Sequence, residues 1–154
     1  MLDIMVNKKL VFRGANINEK DDIYQILIES FEPYRKYYTE EGYISTVLSP
    51  EEIKKRLKDN VFKVFVVTLD KKIVGTVSII QKNDSYYIRS MAVDPDYQNQ
   101  GIGLFILENI CNIAENENIK KISLDSFQPL EKAVKFYEKY GFKKNRYNKR
   151  FAGK

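Results

Sequence analysis

The sequence predicts an α/β chain of the α+β kind: one mixed central sheet with helices on both faces, its elements in the order β-α-α-β-β-β-α-β-α-β. Three observations carry that prediction. Apolar runs of strand length alternate with stretches whose apolar residues recur every three or four positions. Three strand-like runs crowd together between residues 61 and 93, joined by short turns. A chain of 154 residues, 44% hydrophobic and 31% charged, also has the size and composition of one domain with its own core, here residues 1–154.

Each element has its own signature. "LVFR", residues 10–13, reads as a short first strand, and "NEKDDIYQILIESF" follows with Ile23, Ile26, Leu27 and Phe31 at helical spacing and Asn18 as N-cap. A polar, aromatic-rich connection, "EPYRKYYTEEGY", leads to "SPEEIKKRL", where Ser49 before Pro50 and Glu51 starts a second helix. "VFKVFVVTL" and "KIVGTVSIIQ" flank the turn Asp70-Lys71 as an antiparallel hairpin, and "YYIRSMAV" is the next strand. "GIGLFILENICNIAENEN" sets Ile102, Phe105, Ile106, Leu107, Ile110 and Ile113 on a broad apolar face, and "KKISLD" follows as a strand. "PLEKAVKFYEKY" is a helix closed by Gly141, and a last strand begins at Phe142. Because the chain ends at Lys154, that strand is expected to leave an open sheet edge, suited to pairing in a homodimer.

Composition excludes several chemistries. There is no histidine, which removes Ser-His-Asp and Cys-His nucleophiles and histidine zinc sites, and one cysteine cannot build a four-thiolate site. Cys111 falls on the core side of its helix and reads as a packing residue. No run reaches the roughly 18 apolar residues of a membrane span, and "MLDIMVNKKLVF" lacks a signal peptide's apolar region. The expectation is a soluble cytoplasmic chain with no membrane partner. The net charge of +5 is scattered among 21 acids, so a nucleic-acid partner is not expected. The basic tail "GFKKNRYNKRFAGK" suits an anion, including a phosphorylated cofactor.

The stretch "MAVDPDYQNQGIG", Met91 to Gly103, ends in two glycines just before a long helix. Free N–H groups at a helix's first turn form an anion site that larger side chains would obstruct, so the stretch suits phosphate. A dinucleotide fingerprint would use Gly101, Gly103 and Asp125, yet Ile106 occupies its third glycine position and residues 94–100 intervene after the strand. A second pattern fits better. The stretch resembles the acetyl-CoA-binding motif of the GNAT superfamily of N-acetyltransferases, Gln/Arg-x-x-Gly-x-Gly/Ala, with Gln98, Gly101 and Gly103 at the defining positions and Val93 and Pro95 flanking them. "AVKFYEKYGF", Ala133 to Phe142, is similar to the family's late motif, and the element order matches over essentially the whole chain.

That resemblance implies roles residue by residue. Met91, Ala92 and Val93 would run beside the pantetheine arm as a neighbouring strand would, and Asn99, Gln100, Gly101, Ile102, Gly103 and Leu104 would wrap the pyrophosphate with their N–H groups. Tyr137 matches the general acid that protonates the departing thiolate; a thiol near pKa 8.5 and a phenol near 10 differ by about 1.5 units, or roughly 2 kcal/mol. Asp125 matches the base of the family's ribosomal-protein acetyltransferases, but aspartate and an alkylammonium differ by about six units, which favours a water relay or simple binding of the ammonium. Where many members have an Asn contacting CoA, this chain has Leu130. Tyr34, Tyr37, Tyr38 and Tyr43, with Glu40 and Glu41, would wall the acceptor. The implied activity is direct transfer of an acetyl group from acetyl-CoA, the acyl donor, to a primary amine of a small molecule or protein, with no metal. A non-catalytic CoA sensor or basic binding module on the same fold is the alternative.

Overall fold

A computed structural model describes residues 9–124 and 131–143, with backbone alone for 131–134. Strand β1 (Leu10–Gly14) is followed by helices α1 (Lys20–Phe31), α2 (Glu40–Thr46) and α3 (Pro50–Lys58), then strands β2 (Phe62–Leu69), β3 (Lys72–Lys82) and β4 (Ser85–Val93). Helix α4 (Ile102–Asn116), strand β5 (Lys121–Leu124) and helix α5 (Glu131–Tyr140) complete the described elements. The five strands lie side by side in chain order, antiparallel from β1 to β4 and parallel between β4 and β5. The sheet is mixed, as the strand runs predict.

Alternation along the strands divides the core in two. Val64 and Val66 of β2 face Ile23, Ile26 and Leu27 of α1 and Ile53 of α3, while Val67 and Leu69 face the other side. There Val77, Ile79, Tyr86 and Ile88 meet Ile102, Ile106, Leu107, Ile110 and Ala114 of α4. Both faces of the central strands are therefore covered, which is why "VFVVTL" reads as a continuous apolar run. Lys63 and the buried ring of Tyr86 meet Glu117 at the end of α4: Tyr86 Oη donates at 2.6 Å and Lys63 Nζ at 2.9 Å.

Local chemistry explains the boundaries. The β2–β3 turn has positive φ at both Asp70 (49°) and Lys71 (73°), the backbone a two-residue hairpin needs. Ser49 caps α3, accepting from the Glu52 N–H at 3.2 Å. The chain turns toward α1 earlier than an Asn18 cap would have it, because Glu19 reaches back to the Asn16 N–H at 2.8 Å and takes a bidentate pair from Arg13. A 3₁₀ turn, Ile17–Glu19, results. The connection before α3 contains α2, capped by Thr39, which accepts from Gly42 N–H at 2.9 Å; Gly42 inside "EEGYIST" conceals that helix from a propensity reading.

Phe142 and Lys143 belong to no strand. The rest of the expected last strand, and the open edge offered to a second copy, lie outside the described residues. Among the described residues no helix is long and apolar enough to cross a membrane, and no three His, Cys, Asp or Glu gather as metal ligands.

Candidate active site

Among the described residues, the second half of β4 is paired on one side. Strand β5 pairs with β4 only from Ser85↔Lys121 to Ile88↔Leu124, so within the described residues Arg89–Val93 run on with β3 as their one neighbour. At the same place the register to β3 slips between Thr76 and Ser78, and Ser90 adopts φ 52°. This is a β-bulge. Its consequence is a change of facing: Tyr86 and Ile88 belong to the α4 side of the core, whereas Ala92 belongs to the α1–α3 side. A left-handed serine costs about 1–3 kcal/mol. Ser90 offsets this by donating its hydroxyl to the Thr46 carbonyl at 2.8 Å and accepting from Arg56 Nη1 at 3.4 Å.

Beyond the bulge, backbone groups point alternately to β3 and away from it. The Asp94 N–H bonds Val74 O at 2.8 Å and Ala92 pairs with Thr76, so these two residues are turned toward β3. Met91 and Val93 turn theirs the other way. The Val93 carbonyl is already taken, by Ser30 Oγ at 3.1 Å and Gln98 Nε2 at 3.2 Å. What β4 presents on its far side is thus Met91's two groups and the Val93 N–H. Gln98 acts by tying the loop to the strand end.

The loop then delivers the N-terminus of α4. Asp94 accepts from Asp96 N–H at 2.9 Å, Asn99 and Gly101 take left-handed φ of 64° and 82°, and the Phe105 N–H closes on the Gly101 carbonyl at 3.0 Å. Gly101 has no side chain to cap with, so among the described residues the N–H groups of Ile102, Gly103 and Leu104 are left free at the positive end of a fifteen-residue helix. The two glycines do different things. Nothing lies within 4 Å of a Cβ built on Gly101, where glycine answers the backbone conformation. A Cβ on Gly103 would meet the Phe136 ring at 3.3 Å and Met91 Cε at 3.9 Å, so Gly103 lets α5 sit against α4. The expected role of keeping side chains off an anion therefore falls to Gly101 by conformation, and Gly103 is a contact between helices. Gln100 is exposed and the Leu104 side chain is 42% exposed beside the free amides.

Tyr137 is fixed by the end of α5. The Gly141 N–H reaches the Glu138 carbonyl at 3.1 Å and the Phe142 N–H reaches the Tyr137 carbonyl at 3.0 Å, the two bonds of a Schellman motif. Phe142 packs edge-on to the Tyr137 ring with centroids 5.9 Å apart, and Phe136 lies on its other side at 5.6 Å. The residue is half-buried as a whole, but its hydroxyl is desolvated and pushed up to about 12, and it has no hydrogen-bond partner among the described residues. Tyr140, one turn on, donates to Cys111 Sγ at 3.5 Å; that bond comes first and burial second in pushing its hydroxyl to about 12. Cys111 is half-buried between the helices, as a packing residue would be.

The residues expected to wall the acceptor separate into inner and outer members. Tyr38 is 5% exposed, packed edge-on to Phe31 and Tyr43, and its hydroxyl is raised first by burial and then by the nearby Tyr137. Tyr34 is half-buried against the same cluster, and Tyr43 donates to Glu32 under the Arg35 guanidinium. Tyr37 is exposed with Lys36 over its ring, and Glu40 is exposed, 4.0 Å from Arg35. Asp125 lies outside the described residues. Sequence reasoning passed over Arg56, Ser30 and the bulge itself; the adjacent polar pair Arg89-Ser90 inside an otherwise apolar strand is the signal that marks the break in alternation.

A strand end beside an uncapped helix N-terminus is an arrangement suited to an extended, anion-bearing ligand. Residues 20–142 match the Acetyltransferase (GNAT) family, and the chain belongs to that family. It is 34% identical over 90 residues to a glucosamine 6-phosphate N-acetyltransferase of Trypanosoma brucei brucei, a match that takes in 54% of this chain and 59% of that protein. The chain thus matches less than two thirds of that relative's length. Among solved structures it resembles the PaiA N-acetyltransferase of Thermoplasma acidophilum in complex with coenzyme A, with TM-score 0.79, 19% identity, and 89% and 91% of the two chains covered. It also resembles the ribosomal-protein-S18-alanine N-acetyltransferase of Escherichia coli, with TM-score 0.71, 19% identity, and 89% and 79% covered. At these identities the likeness establishes the fold.

Proposed function

We propose that the protein transfers an acetyl group from acetyl-CoA to a primary amine. The observation that carries this is the continuity of the β4 edge at Met91 and Val93 with the free amides of Ile102–Leu104. That track offers strand-like pairing at one end and anion binding at the other. It suits a ligand with amides in its arm and a pyrophosphate at its end. When bound, acetyl-CoA supplies an activated thioester with a good leaving group. The chain's own residues do the rest.

Met91 and the Val93 N–H pair with the arm, and the α4 amides hold the phosphates. The Tyr137 hydroxyl, without a hydrogen-bond partner among the described residues, holds the proton given to the departing sulfur. At about 12 it lies some 3.5 units above an ordinary thiol, or about 5 kcal/mol uphill. The same desolvation raises a thiol that shares the site, because burial penalises both anions, and this narrows the gap. Burial of the hydroxyl disfavours the phenolate and keeps the acid protonated. Asp125 follows β5 in sequence, and its charge suits attraction of the ammonium over direct deprotonation. Tyr37 and Glu40 are the exposed members of the acceptor wall. The Trypanosoma relative is named for an amine acceptor, which supports the primary-amine reading.

The test is incubation with acetyl-CoA and a panel of amines, following free thiol and product mass. Thiol release that depends on an amine, with a matching acetylated product, is expected. Tight CoA binding with no amine-dependent thiol release would leave a binding module.

A further inference from the structure

Arg56 is a buried cation that the described residues leave largely unsatisfied. It lies on α3, 9% exposed, with its guanidinium 4.6 Å over the Phe62 ring. A guanidinium has five N–H donors. Among the described residues Arg56 makes one hydrogen bond, the 3.4 Å contact to Ser90 Oγ, and no carboxylate stands within ion-pair distance. Glu52, one turn back, is the acid that acts on it, and that carboxylate faces Lys55 at 3.6 Å. Burying an unpaired charge costs several kcal/mol, so a cation held this way is poised for an anion.

Its position says whose anion. The bulge sends Arg89 and Ser90 toward α3, where Arg89 bears electrostatically on Arg56, while the next residue, Met91, packs with the α4 side of the core. The donor's phosphates belong to the α4 N-terminus on that opposite side. Arg56 comes to the same break in β4 from the face carrying α2 and the acceptor wall, its partner Ser90 being bonded to Thr46 at the end of α2. We infer that Arg56, with the positive charge of Arg89 nearby, binds an oxyanion of the acceptor, so that the favoured substrate is an amine that also carries a phosphate or carboxylate. This rests on the acetyl-transfer reading above. Both anion types share the geometry a guanidinium fork recognises.

The experiment compares matched acceptors at saturating acetyl-CoA: glucosamine 6-phosphate against glucosamine, and aspartate against asparagine. The anionic member of one pair is expected to have the higher kcat/KM, by about 10- to 100-fold, the span of one or two charge-assisted hydrogen bonds. Which pair shows it separates phosphate from carboxylate. In Arg56→Met that ratio should collapse toward one through a raised KM for the anionic amine, and Arg56→Lys should restore part of it. Equal use of both members by the wild type, or a ratio unchanged in a folded Arg56→Met, overturns the inference. If no amine of either kind is acetylated, the acetyl-transfer reading fails by itself, and titration of CoA-saturated wild type with inorganic phosphate and with acetate then decides. Saturable binding of either, read at the Arg56 side-chain NMR signal, supports the site. No shift of that signal overturns it.

Discussion

At Tyr137 the ring and the hydroxyl have separate duties. The ring is gripped by Phe136 and Phe142, and the hydroxyl has no hydrogen-bond partner among the described residues. Tyr137→Phe should therefore fold and bind CoA as the wild type does, while kcat and kcat/KM fall together by about 10²–10⁴, the span of a positioned acid. Stopped-assay rates beside a CoA titration check this; wild-type turnover in a folded variant would take Tyr137 out of the mechanism. The raised hydroxyl also fixes the shape of the pH profile. A group ionising near 12 is still protonated at pH 10, so the rate should show no loss from this acid below about pH 11. A basic limb near pH 9 to 10 that vanishes in Tyr137→Phe would contradict this. For stability the sign comes from proton counts. The unfolded phenol ionises near 10 and the folded one near 12, so between those values the unfolded state holds fewer protons and stability falls as pH rises. Tyr38 and Tyr43, both raised with burial as the first cause, act in the same direction.

At the scale of elements, the meeting of α4, α5 and β4 depends on one missing side chain. Gly103→Val would put a branched Cβ against the Phe136 ring, where a single Cβ already stands at 3.3 Å. Overpacking of this kind costs about 1–3 kcal/mol. The displaced ring neighbours Tyr137, so turnover should fall along with stability. The informative measurement is the melting temperature of the ligand-free protein. It should drop by several degrees without any CoA present. An unchanged ligand-free melt, with only CoA affinity lost, would return Gly103 to the role its motif position suggests. That contrast shows where sequence reading stops. The Gly-x-Gly spacing identifies a free helix N-terminus, because no capping side chain stands there. It cannot say which glycine answers a backbone angle and which a neighbouring helix, since Phe136 lies 33 positions further on. The bulge at Ser90 is hidden for a related reason: one extra residue in a strand leaves composition unchanged and alters only the facing of the residues beyond it.

Over the whole molecule, the legible parts were those set by local periodicity. The β2–β3 hairpin, the α4 face and the run of β2–β4 are written in alternation and turn residues, whereas α2 and the inner position of Tyr38 arise from packing between distant segments. Two cores on opposite faces share one sheet, and among the described residues Arg89–Val93 have β3 as their one strand neighbour, just where α4 begins. A ligand that pairs with Met91 and Val93 and bonds the α4 amides would join that stretch of β4 to the helix and stabilise the folded state alone. At a hundredfold excess over Kd this contributes about 2.7 kcal/mol. For a chain of this size that is a rise of roughly 5–10 °C in Tm. CoA should produce it, and NAD, whose fingerprint fails at Ile106, should not. Hydrogen exchange locates the effect: the amides of Met91, Val93 and Ile102–Leu104 should slow directly on CoA addition, while those of β1 and β2 should slow only by the global increment. Equal stabilisation by NAD, or protection appearing at the β1 edge and not at β4 and α4, would mean that the end of β4 beside α4 is not where the nucleotide binds.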